Sequence, residues 1–211
     1  MSEHSPALRE PWPDLARQRE GVAFGVWAFL ATEVLFFGGL FLGYAIYRNT
    51  FPEAFHIAAK ETDVFYGTLN TAILLTSSLT MAVAAEAAEA GFRRMTLWCL
   101  SATAVFGIAF LVTKGFEYHD DLSKGLFPGP GFSLHPPATQ LFWAFYWVAT
   151  GVHAIHLTIG VSVVGTVATA LYRRRLPLEA STFEGVALYW HFVDIVWIIL
   201  LPLLYLVGRA S

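Results

Sequence analysis

Apolar residues fall in five long blocks, at about 24–47, 65–86, 94–116, 139–171 and 186–207. A helix needs about 20 predominantly apolar residues to cross the hydrocarbon core of a bilayer, and every block reaches that length. The blocks run solidly apolar instead of alternating, which excludes barrel strands. Only helices and closed barrels satisfy their backbone groups in lipid. The pattern therefore predicts an all-α polytopic membrane protein, a bundle of five transmembrane helices occupying residues 21–211 behind a polar tail over 1–20. The fourth block exceeds the bilayer thickness and must tilt or project. Two connections on one side are long. One, about 48–64, contains Pro52; the other, about 117–137, is so rich in Pro and Gly that it reads as a turn-rich cap. Gly39 and Gly43 form a Gly-x-x-x-Gly pair in the first span, the signature of close helix packing.

Ionisable residues interrupt these blocks. A charge in hydrocarbon costs roughly 2.5–3.5 kcal/mol on insertion scales, so each persists for a reason. Glu33 stands in the first block, His153 and His156 in the fourth, His191 and Asp194 in the fifth. Both pairs are three apart, so a helix puts each pair on one face. At roughly 1.5 Å per residue, all five lie in one slab of the bilayer. Glu184 lies just ahead of the fifth span, near the interface and beside Arg173, Arg174 and Arg175. Such residues commonly pair with each other and hold helices in register. Chains of Asp, Glu and His also relay protons. Both readings stay open here. The expectation is that His191 and Asp194 hydrogen-bond to the fourth span through His153 or His156, whose imidazoles are also the candidate partners of Glu33. Lys114, Glu117, Tyr118 and His119 read as an interfacial anchor, and the tryptophans as mostly lipid-facing or interfacial.

Composition narrows the classes further. Hydrophobic residues make up 56% of the 211, and 14% are charged, with mean hydropathy +0.55. The net charge of −3 comes with no basic patch for nucleic acid. One cysteine, Cys99, excludes a disulfide framework and a thiolate metal site. No nucleotide fingerprint, HExxH or CxxC motif is present, and three histidines within spans are too few for a two-haem cytochrome b. No metal-ligand set is assigned. The acidic, proline-containing N-terminus is unlike a cleaved signal, so the first span should be retained. Eight Lys and Arg lie on the side of the N-terminal tail, against five on the other. This bias, strengthened by the arginine triplet, puts the N-terminus in the cytoplasm and the C-terminus on the far, periplasmic side.

Five segments together carry a family resemblance. They are Thr32-Glu33-Val34-Leu35-Phe36-Phe37-Gly38-Gly39; Asn70-Thr71 with Leu74-Leu75-Thr76-Ser77-Ser78; Lys114-Gly115-Phe116-Glu117-Tyr118; Gly151 to Gly160 with its two histidines; and Phe183-Glu184 with Tyr189-Trp190-His191-Phe192-Val193-Asp194-Ile195-Val196-Trp197. In this order they resemble subunit III of the haem–copper oxidases, of the cytochrome c oxidase type, in its short five-helix bacterial form. Longer members have seven spans, and this chain starts at the equivalent of the third; a partner subunit is the candidate source of the missing two. The resemblance implies a non-redox subunit of a terminal oxidase in the bacterial inner membrane. Such a subunit stabilises the catalytic subunit and supports proton uptake into it. The family's intramembrane carboxylate falls on Glu33. Haem and copper would belong to partner subunits I and II, and the electron donor, cytochrome c or quinol, would bind through those subunits. Phospholipid is a candidate ligand, with Arg173, Arg174 and Arg175 as headgroup contacts. A quinol oxidase subunit III and the related partner of a nitric oxide reductase would look much the same. A self-sufficient proton or ion carrier, or a one-haem cytochrome, is the reading from a different class.

Overall fold

The computed structural model describes residues 14–178 and 180–207. The first 13 residues of the N-terminal tail, Arg9 among them, and Gly208 to the C-terminus, with Arg209, lie outside the described residues. The chain forms α1 (Leu15–Thr50), α2 (Pro52–Lys60), α3 (Val64–Glu89), α4 (Arg93–Ser123), α5 (Thr139–Tyr172) and α6 (Ala180–Leu201), and α6 runs into a π-helical turn, Pro202–Leu206. Five of these helices are long and apolar enough to cross a membrane, as the hydrophobic blocks predict.

The helix ends follow from local chemistry. Asp14 caps α1 by accepting from the Arg17 N–H at 2.8 Å, and Asp63 caps α3 by accepting from the Phe65 N–H at 2.8 Å. Pro52 opens α2, where its missing N–H costs nothing. Gly91 ends α3 at φ +78°. There the Phe92 N–H reaches Ala87 O at 2.8 Å and the Gly91 N–H reaches Ala88 O at 3.1 Å, the paired bonds of a Schellman cap. The same bonds close α5, with Arg174 in the left-handed position at φ 56°. Pro202 cannot donate to the preceding turn, which explains the switch from α to π geometry there.

Two expectations about the connections need correcting. The 48–64 segment is not simply a loop, because α2 occupies most of it. The turn-rich cap begins at Lys124 and not at 117, because α4 continues to Ser123. Pro and Gly are confined to 125 onward, so nothing in 117–123 stops the helix.

α3, α4, α5 and α6 pack in a closed cycle, each touching its two neighbours, and α1 lies outside against α5 and α6. Without a hydrophobic drive between helices in lipid, close packing and interior hydrogen bonds hold such a cycle. Close approach is needed where Trp190 and Val161 press on Gly107 and where the Tyr205 ring presses on Gly67. Among the described residues, a methyl at Gly39 would meet nothing and one at Gly43 the edge of the Phe145 ring, so the Gly39/Gly43 pair makes no close helix contact among them. The tryptophans also depart from expectation. Trp143, Trp190 and Trp197 are fully buried, whereas Trp27 and Trp98 face outward. Phe24, Leu35 and Trp98 are each more than 70% exposed; such apolar surface suits a hydrocarbon environment, not water.

Candidate functional site

Two polar clusters stand out. The first joins α1 to α5. Glu33 Oε2 lies 2.9 Å from His156 Nε2, with both side chains about one-sixth exposed. The other ring nitrogen, Nδ1, lies 2.9 Å from Val152 O. A carbonyl only accepts, so Nδ1 carries a hydrogen and donates it. Nε2 and the carboxyl then share one further proton, as imidazolium with carboxylate or as imidazole with carboxylic acid. Tyr189 donates to His156 O at 2.9 Å, and the Phe37 ring meets the imidazole edge-on at 5.4 Å. The pair is a one-proton site at the seam between the outlying helix and the cycle.

The second cluster lies inside the cycle, toward the end that carries the 124–138 connection. Lys114 is 2% exposed, Glu117 2% and Asp121 3%. Lys114 Nζ donates to Glu117 Oε2 at 2.9 Å, to Tyr146 Oη at 2.9 Å and to Tyr205 Oη at 2.7 Å. The ammonium also lies 4.5–5.6 Å from the ring centres of Tyr146, Tyr118, Tyr205 and Trp197, an aromatic cage that favours a cation. Asn70, which accepts from Thr113, extends the polar interior on the α3 side.

This second cluster corrects the expectation of an interfacial anchor. Of Lys114, Glu117, Tyr118 and His119, His119 alone is exposed. The signal was present in the sequence. Lys114, Glu117 and Asp121 follow one another at i, i+3 and i+7, the spacing of a single helix face, and that face is continued by the buried residues Thr103, Gly107 and Phe110.

The remaining site residues divide. His191 Nδ1 bonds to Ser78 Oγ on α3 at 2.7 Å, not to α5. Asp194 faces the same hydroxyl, but neither of its oxygens completes a hydrogen bond among the described residues. His153 is likewise without a hydrogen bond there, and stands among the Phe110 and Trp197 rings at 5.5 and 5.1 Å. The expected link from His191 and Asp194 to His153 or His156 is therefore absent. The reason is geometric: Trp190, Asp194 and Trp197 share the face of α6 turned to α3, where Trp190 donates to Ser77 at 2.9 Å and Trp197 to Thr71 at 3.0 Å. Glu184 is exposed, as are Arg173, Arg174 and Arg175. Arg173 and Arg175 line one end of an open groove along α5 with Ser162, Thr166 and Thr169. Among the described residues, no three His, Cys, Asp or Glu side chains are grouped to hold a metal ion.

Residues 15–209 match the family model described as Cytochrome c oxidase subunit III. The chain is 35% identical to the cytochrome c oxidase subunit 3 of Synechocystis sp. over 192 residues, covering 87% of this chain and 74% of that one. It is 35% identical to that of Thermostichus vulcanus over 193 residues, covering 88% and 87%. A heme-copper oxidase subunit I+III of Aeropyrum pernix is 30% identical over 214 residues, which take up 98% of this chain and 25% of that longer one.

Proposed function

The chain belongs to the cytochrome c oxidase subunit III family, a multi-pass membrane subunit of the haem–copper oxidases, and from that premise we propose that it is a non-redox subunit that steadies the catalytic subunit and supports proton uptake into it. The observation that carries this reading is the Glu33–His156 pair, a one-proton site near the middle of the membrane-spanning segments, facing the seam of an outlying helix. The Aeropyrum relative bears subunits I and III in one chain by its name, which supports subunit I as the partner here; subunit II completes the proposed assembly. Cytochrome c or quinol would deliver electrons through those subunits. The exposed arginine triplet is the proposed contact for a phospholipid headgroup.

Haem and copper belong, in this reading, to the partner subunits. The chain purified alone should show no stoichiometric Soret band; such a band would overturn this part of the reading. The membrane is proposed to be a bacterial inner membrane, with the N-terminus cytoplasmic and the C-terminus periplasmic. A reporter that is active only in the cytoplasm should stay silent when fused after Ser211.

Glu33→Gln tests the role of the pair. The amide keeps the shape and can still donate to His156 Nε2. Assembly and steady-state oxygen reduction of the intact complex should stay near normal, because the pair tunes a complex whose redox centres lie elsewhere. Turnover lost by orders of magnitude at normal haem content would make Glu33 an obligatory relay. A self-sufficient carrier would instead move protons in vesicles without any partner.

A further inference from the structure

Six contacts of hydrogen-bond length join the buried cluster of α4, α5 and the π-helical turn. Lys114 Nζ meets Glu117 Oε2, Tyr146 Oη and Tyr205 Oη. Tyr205 Oη lies 2.7 Å from Glu117 Oε1. Tyr146 Oη lies 2.8 Å from Glu117 Oε1 and 2.8 Å from Asp121 Oδ2. Each contact needs one proton between its two heavy atoms. An ammonium supplies three and each phenol one, which makes five protons for six contacts. With both carboxyls ionised, Tyr146 has a single hydrogen and two acceptor-only oxygens within reach, so one contact sets lone pair against lone pair.

One more proton closes the count, and the geometry says where it belongs. Glu117 receives the ammonium on one oxygen and two phenols on the other, the surroundings of a carboxylate. Among the described residues, Asp121 has Tyr146 alone. Its other charged neighbours are Glu117 and Lys114 along α4 and the exposed Lys124 beyond the helix end. On α5 the ionisable neighbours of the cluster are Tyr146 and, beside Lys114, His153. The π-helical turn contributes Tyr205, and α3 contributes Gly67 against the Tyr205 ring. A proton on Asp121 also leaves one ammonium against one carboxylate, so the buried cluster is neutral, and a residual buried charge is avoided.

We propose that Asp121 is a proton-binding site: it stands in the folded protein as the neutral acid, donates to Tyr146 Oη, and Tyr146 in turn donates to Glu117. This inference stands on the cluster alone and does not depend on the chain's place in an oxidase. Infrared difference spectroscopy of the full chain in lipid nanodiscs at neutral pH reads it directly. The spectrum of the unsubstituted chain minus Asp121→Asn should contain one acid carbonyl band, shifted in heavy water, and no carboxylate pair. The amide N–H can donate to Tyr146 in place of the acid, so the variant should fold. Loss of a carboxylate pair with the acid region unchanged would overturn the proposal. Should Asp121→Asn fail to accumulate, Asp121→Glu serves: an acid band that moves in frequency supports the assignment, and an unaltered acid region overturns it.

Discussion

Replacing Lys114 by methionine should destabilise the bundle by about 3–5 kcal/mol, the range for breaking one side of a buried ion pair. The ammonium is 2% exposed and its three N–H groups all find oxygens. Methionine fills similar volume but leaves the Glu117 carboxylate uncompensated and strips Tyr146 and Tyr205 of a donor. The variant should accumulate poorly in membranes and unfold at much lower temperature in detergent. Lys114→Met combined with Glu117→Gln should recover most of the loss, since neither charge then remains. A single variant as stable as the unsubstituted chain, or a double variant no better than the single, would mean that the pair is not what holds this end of the bundle.

Gly107→Ala should cost about 1–3 kcal/mol, the usual penalty of overpacking a filled interior. A methyl group there would stand 2.5 Å from Val161 Cγ2 and 2.9 Å from Trp190 Cη2. Neither neighbour yields easily. Valine is stiff at χ1, and the Trp190 indole is tied to Ser77 Oγ at 2.9 Å. Val161→Ala removes the closer clash and leaves the one with Trp190, so Gly107→Ala should cost less in the Val161→Ala background than in the unsubstituted chain. Thermal unfolding of the four proteins gives the coupling. Purely additive losses would show that Val161 is not what resists the added methyl.

The contrast between the two clusters shows how far the chain could be read without its fold. Glu33 stands out in the sequence because a carboxylate in a long apolar block must be compensated; of its two candidate partners, His153 and His156, the fold selects His156. Lys114 and Glu117 read as an anchor because they close an apolar block, where charged residues ordinarily mark the membrane surface, and Asp121 falls in the stretch that reads as a turn-rich cap. Only the continuation of α4 to Ser123 and the approach of Tyr146 and Tyr205 make them interior. His191 and Asp194 failed in a different way. Their spacing correctly puts them on neighbouring parts of one helix surface, but spacing along a helix says nothing about which helix lies opposite.

The length and solidity of five apolar blocks by themselves determined the helical class, the spans and their number, because the bilayer imposes a fixed length and leaves backbone groups no partner outside a helix. The ordered set of short segments likewise determined the family. The tertiary structure alone decided that α3 to α6 close on themselves with α1 outside, that Gly39 and Gly43 make no close helix contact among the described residues, that three tryptophans are core residues, and that a lysine and two acids share one buried cage. Those outcomes depend on which faces meet. Helices in lipid choose their neighbours by contacts between side chains distant along the chain, each worth little alone, so no local pattern records the choice.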